Sequence, residues 1–265
     1  MTKEKAREPR PYRAPLREQA ALRTRLLITR AAKATFEKQG WSGATLAAIA
    51  ERAGASLSTV EALFGTKAVL LRAAVDYAIR GDIDPLPIRG REITNQIETA
   101  PGAVSMLELH SGHLRAVHGR SAHLAFVVEQ AAKSDKHVAA LWRQMNENRR
   151  DGIEWATRTL LAKPGVDHLH AADVRTTFWV ALDWGTYRVL TDHARLTADG
   201  YQQWILDYYL RMFALDRAGV ARRAASASSV PETGSRSRRR GGSSGAGMSG
   251  VQNTPPEDVP PPRQK

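Results

Sequence analysis

The chain has 265 residues, 42% of them hydrophobic, a net charge of +12 and no cysteine. That length allows one large or two small domains with real cores, and the missing cysteine excludes disulfides and thiolate metal sites and agrees with a reducing cytoplasm. No stretch approaches the roughly 20 apolar residues that span a bilayer, and the charged start MTKEKAREPRPYR has no apolar run behind it, so a cytoplasmic protein with no membrane partner is expected.

The charge is unevenly placed. Residues 1–80 hold 15 Lys/Arg against 7 Asp/Glu, residues 81–216 hold 15 against 17, and residues 217–265 hold 9 against 3. Two basic ends around a nearly neutral middle suggest a polyanion-binding module joined to a body with another task.

Residues 1–20, with three prolines and many charges, are expected to form a mobile basic arm. Helical patterning starts at Leu22. Ile28, Ala32 and Phe36 recur at four-residue spacing, and Gly40 follows as a stop. Thr45 opens a second run in which Leu46, Ile49, Ala50 and Ala53 share a face. A third run holds Leu57, Val60, Leu63 and Phe64, and a fourth goes from Lys67 to about Arg80. Gly81 to Gly102 is a linker rich in Gly, Pro and Asp, with room for one short helix. Further helices are expected at about 104–118, 121–133, 136–162, 171–195 and 198–216. No stretch alternates as a strand does, so the fold class is all-α. From Ala224 the composition turns to Ser, Gly, Pro and Arg, which cannot bury enough apolar surface to order itself. The expected organisation is an arm (1–20), a basic helical domain (21–80), a linker (81–103), a helical body (104–217) and a disordered basic tail (218–265).

The stretch AERAGASLSTVEALF, from Ala50 to Phe64, contains the informative break. Thr45 can cap the helix before it, and Ser56 the helix after it. Gly54 can adopt the left-handed conformation that turns the corner without steric cost. Small Ala50 and Ala53 permit a steep close approach, with Ile49, Val60 and Leu63 filling the angle. This is the sequence form of a helix-turn-helix, whose second helix can enter a DNA major groove. An ordinary helical hairpin uses the same turn chemistry.

From Ile28 to Val75, ITRAAKATFEKQGWSGATLAAIAERAGASLSTVEALFGTKAVLLRAAV resembles the DNA-binding domain of the TetR family of bacterial transcriptional regulators. The matching features are Ala31-Ala32, Phe36, Gly40-Trp41, Thr45, Ile49-Ala50, Ala53-Gly54, Ser56, Phe64 and Lys67. The resemblance implies an all-α homodimer that binds double-stranded DNA through its first three helices. The later helices then supply a pocket for an unidentified small-molecule effector and the dimer interface. It implies a phosphate contact from Thr45 at the start of the second helix and another from Lys67. Ser56, Leu57, Ser58, Thr59, Glu61 and Ala62 form the groove-facing part of the third helix. Arg7, Arg10, Arg13 and Arg17 either follow the DNA backbone or only solubilise the chain. Glu61 departs from the family pattern, which places an aromatic there. A carboxylate repels phosphates yet can accept from cytosine N4.

Nine of the 17 aromatic residues lie between Phe178 and Phe213, on the two helices that the resemblance assigns to a four-helix dimer interface. Trp179, Leu182, Gly185, Val189, Trp204 and Tyr208 are the interface candidates, with Gly185 expected to allow close helix approach. Phe126, Trp142, Met145, Trp155 and Phe178 are the pocket candidates.

Four histidines cluster at His110, His113, His118 and His123. His110 and His113, one turn apart, could share a metal, but no carboxylate or cysteine completes a convincing set. No phosphate-binding Gly loop followed by Lys and no His-Glu-x-x-His motif is present, so no enzyme and no cofactor are expected. The functional expectation is a ligand-responsive repressor binding a palindromic operator as a homodimer. The alternatives are a helical interaction protein that has lost base reading, and a metal-dependent sensor or enzyme built on His110 and His113.

Overall fold

Helix α1 (Ala14–Gly43) runs into a glycine that cannot continue it: Gly40 has φ 69° and ψ −175°, and one further turn forms beyond it. Its buried stripe is Ile28, Ala32 and Phe36, all with no exposed surface. In this computed structural model, residues 14–84 and 88–216 are described. Helix α1 starts eight residues before Leu22, so residues 14–20 of the expected arm are helical. Pro15 is no obstacle, because the first turn has no use for its missing N–H. Arg7, Arg10 and Arg13, the Arg17 side chain, and the 218–265 tail lie outside the described residues.

Helices α2 (Leu46–Ala53), α3 (Leu57–Phe64) and α4 (Lys67–Arg80) follow in quick succession. Each begins on a side-chain cap: Ala48 N donates to Thr45 Oγ1 at 3.1 Å, Thr59 N to Ser56 Oγ at 3.1 Å and Val69 N to Thr66 Oγ1 at 3.3 Å. Gly54, at φ 65° and ψ 32°, ends α2. Buried Ile49, Ala50, Val60 and Phe64 close the angle between α2, α3 and the α1–α4 pair.

The body holds α5 (Glu92–Thr99), α6 (Ala103–Ala131), α7 (Lys136–Leu161), α8 (Ala171–Ala181), α9 (Trp184–Arg188) and α10 (Ala198–Met212). Helix α6 is the central rod, packed against α1, α4, α5, α7, α9 and α10. Among the described residues there is no strand.

Two expected boundaries differ. The break at Gly119 does not occur, and α6 runs through it. The cost of glycine in a helix, about 1 kcal/mol, is outweighed by burial on both sides of it, where His118, Ser121, Ala122 and Leu124 are all covered. A Cβ at Gly119 would also come within 3.5 Å of Tyr187 Oη. Conversely, the expected 171–195 helix is broken at Leu182–Asp183. Asp183 accepts from Thr186 N at 2.9 Å to start α9 and also holds Arg149 at 2.8 Å. Helix α9 then widens into a π-helical turn, Val189–His193.

Candidate nucleic-acid interface and internal cavity

The α2–α3 corner presents a polar, open face. Ser56, Leu57, Ser58, Glu61 and Ala62 are exposed, Thr59 is half-buried, and Thr45 is exposed at the start of α2. Ser56 Oγ lies 2.9 Å from Ser58 Oγ and 2.7 Å from Thr59 Oγ1. Three hydroxyls therefore gather over the free N–H groups that open α3, where the positive end of the helix dipole favours anions. Leu57, 42% exposed, adds an apolar contact beside them. The opposite side of α3 is spent on the core through Val60 and Phe64.

Lys67 is placed differently from the expectation. Its ammonium donates to the Trp41 and Ala44 carbonyls at 2.8 and 3.1 Å and sits 4.2 Å from the Trp41 ring centroid. Helix α1 has already been broken at Gly40, so these carbonyls need donors, and Lys67 provides them. Its charge is turned inward, to tie the end of α1 to the start of α4. A cation not among the sequence candidates stands beside α3: exposed Arg25 lies 4.8 Å from the Phe64 ring at its end. Its signal was present, since it falls outside the four-residue stripe that α1 buries.

Behind this head is a cavity of about 480 Å³ between α4, α6, α7 and the start of α9. Its size lies within the range of small-molecule sites. Met145 and Trp155 line it. Phe126 does not: it is exposed at the surface under the Arg188 guanidinium, 3.8 Å away. Trp142 lines a separate shallow hollow with Glu129 and Lys133. Phe178 is fully buried behind the cavity wall, edge-on to His110 at 5.2 Å. Leu182, expected at a dimer interface, faces the cavity instead. Gly185 is exposed and serves the Asp183 cap, because a Cβ there would meet Asp183 Oδ2 at 2.7 Å.

The histidine cluster has an unexpected use. His110, His113 and His118 all line the cavity from α6. Tyr209 Oη is 3.0 Å from His110 Nδ1, and Tyr201 Oη is 2.7 Å from His118 Nδ1. Burial lowers the pKa of His110 and His118 to about 3 and that of His113 to about 4, so all three imidazoles are neutral at physiological pH. Among the described residues no three His, Asp or Glu side chains are grouped to hold a metal.

Helix α4 links the two regions. Asp76, Ile79 and Arg80 of its last turns line the cavity, while its first residue, Lys67, ties it to α1. Arg120 of α6 donates to the Ala78 and Ile79 carbonyls at 3.0 and 3.1 Å, so the end of α4 is clamped to the helix that carries the histidines. No helix among the described residues is long and apolar enough to cross a membrane.

An exposed second helix on a capped corner, joined through one helix to a cavity-bearing all-α body, defines a helix-turn-helix DNA-binding protein. Residues 28–74 match the sequence profile of "Bacterial regulatory proteins, tetR family". Three solved structures share the fold. They are a transcriptional regulator from Rhodococcus sp. RHA1 (TM-score 0.51, 17% identity, 71% of this chain and 94% of that one); a candidate transcriptional regulator from Pseudomonas aeruginosa PAO1 (0.53, 18%, 79% and 94%); and a candidate TetR-family regulator from a Rhodococcus species (0.52, 13%, 72% and 99%). No curated protein matches the chain significantly. Residues 28–74 therefore carry a TetR-family DNA-binding domain, and the described helices share the fold of these regulators.

Proposed function

We propose that the protein is a ligand-responsive repressor that binds a palindromic operator as a homodimer in the cytoplasm. The observation that carries this reading is the open outer face of α3, from Ser56 to Ala62, standing on a corner whose inner side buries Ile49, Ala50, Val60 and Phe64. A single eight-residue helix reads too few base pairs to select an operator, so two heads spaced by a turn of DNA are needed. The surface that suits a second copy is on α10. Trp204, Tyr208 and Met212 follow one another at four-residue spacing, with Trp204 and Tyr208 stacked at 5.5 Å and Met212 56% exposed. Val180 and Val189 add exposed apolar area, and Trp179 is half-buried beside them in sequence.

Ligand in the cavity acts through α4. Its last turns form part of the cavity wall and its first turn holds α1, so filling the cavity favours one setting of the heads over another. The test of the reading is a titration of the full chain against DNA at several salt concentrations. Glu61→Ala is expected to change which bases are preferred, by about 1–3 kcal/mol at the affected position. Arg25→Ala is expected to weaken all sequences equally and lower the salt slope by about one. Equal effects of both variants on every sequence favour the alternative, an interaction protein without base reading.

A further inference from the structure

The cavity has a chemical polarity that its shape alone does not reveal. Tyr201 and Tyr209 have no exposed surface, so each hydroxyl proton must find an acceptor inside the protein. The acceptor each one meets is a histidine Nδ1. A neutral imidazole that accepts at Nδ1 carries its proton on Nε2. His110 and His118 therefore each offer an Nε2–H with no protein partner among the described residues, on side chains that line the cavity. The Nε1–H of Trp184 and the Nε–H of Arg149, on lining residues but themselves covered, have no partner either. All four groups are donors.

The donors are not spread evenly. Arg149 is fixed by Asp183 at 2.8 Å and flanked by the Trp179 and Trp184 rings at 4.9 and 5.4 Å, and the two opposite charges act together on His118, Asp183 the more strongly. That end holds the Arg149–Asp183 ion pair and the densest set of donors. His110 lies eight residues earlier on α6, about 12 Å along the axis, near Trp155 at 6.3 Å. Leu114 and Val117 cover the stretch between them, facing Met145 of α7. The lining carboxylates do not reverse this polarity. Asp76 has Arg72 and Arg80 one turn to either side, and Asp151 is exposed at the surface.

We propose that the cavity takes an elongated amphiphilic carboxylate, its anionic end held by Arg149 and His118 and its apolar body lying along α6 towards His110. The proposal rests on the reading of the cavity as the effector site, and it adds the class of effector. An acceptor-only head satisfies the His118 donor and faces the Arg149 guanidinium, while an ammonium head meets a donor and a like charge there. An alcohol can accept one bond but leaves the Arg149 charge without a partner beyond Asp183.

The test uses the full chain without DNA and follows the tryptophan fluorescence of Trp155 and Trp184. The probes are octanoate, decanoate and dodecanoate, each beside the primary alcohol and the alkylammonium of equal length. At least one carboxylate is expected to bind saturably and about tenfold or more tightly than its matched alcohol and ammonium. Arg149→Met should reduce that preference to less than about threefold and leave alcohol binding in place. The comparison of head groups on the unaltered protein stands even where a variant fails to fold. Equal affinities, a preference for alcohol or ammonium, or no saturable binding at any length overturns the proposal. DNA binding is measured separately on the same preparation. Carboxylate preference without any effect on DNA supports this ligand class and contradicts the effector reading. DNA binding without carboxylate preference does the reverse.

Discussion

Single side chains in this protein carry tasks that their residue types do not announce. Lys67 has the type and position of a phosphate contact, yet its ammonium is shared between two carbonyls at the end of α1. Lys67→Met leaves those buried acceptors without donors and is expected to cost about 1–3 kcal/mol of stability. DNA affinity should then fall through loosening of the head, with the salt slope unchanged. A slope lowered by about one, with no change in denaturant midpoint, contradicts the inward placement. The histidines give a second prediction. A buried imidazole with a folded pKa near 3, against about 6.5 unfolded, takes up its proton only on unfolding. The unfolded state then binds more protons between these values, so stability is full above pH 6.5 and declines as pH falls towards 3. His110 and His118 should each contribute a slope of up to about 1.4 kcal/mol per pH unit in that window. Thermal unfolding at pH 7.5 and pH 5.0 checks it, and identical midpoints contradict neutral burial of the cluster.

Among the elements, the caps and the corner were legible because they are local. Thr45, Gly54 and Ser56 act on backbone groups within three or four residues, and all three sit where the spacing put them. Gly54→Ala forces a Cβ into φ 65°, with no neighbouring atom within 4 Å to add a clash. The expected cost is therefore conformational, about 1–2 kcal/mol, and DNA binding should weaken with it. A stability unchanged in urea titration rules out that strain. What the sequence could not show was long-range. Gly119 reads as a break, but the neighbours that override it come from α9 and α10. The 171–195 segment reads as one helix, but Asp183 is drawn out of it to serve Arg149 from 34 residues away. Of the apolar body residues singled out, Met145 and Trp155 line the cavity, while Phe126, Trp142 and Phe178 do not. Helical spacing shows which side of a helix is apolar, not whether that side meets a void or another helix. The histidine spacing was visible, but its tyrosine partners lie 83 and 99 residues on.

Across the whole molecule, α4 joins the helix-turn-helix head to the cavity. Arg120 is the joint whose loss should separate them, since it ties α6 to the Ala78 and Ile79 carbonyls at the end of α4. Arg120→Met is expected to leave DNA affinity without ligand within about threefold of the original and to reduce the ligand effect on DNA by about tenfold. A response equal to that of the unaltered chain contradicts the linkage through α4. Trp204→Asp places a charge in the α10 stripe and should convert dimers to monomers in sedimentation while sparing the helical content. The central claim is that the outer side of α3 selects bases. Selection of binding sites from a random-sequence DNA library by the full chain tests it most directly. The account predicts enrichment of a two-fold symmetric site whose preferred bases change in Glu61→Ala. Retention of all sequences alike, weakened only by salt, contradicts it.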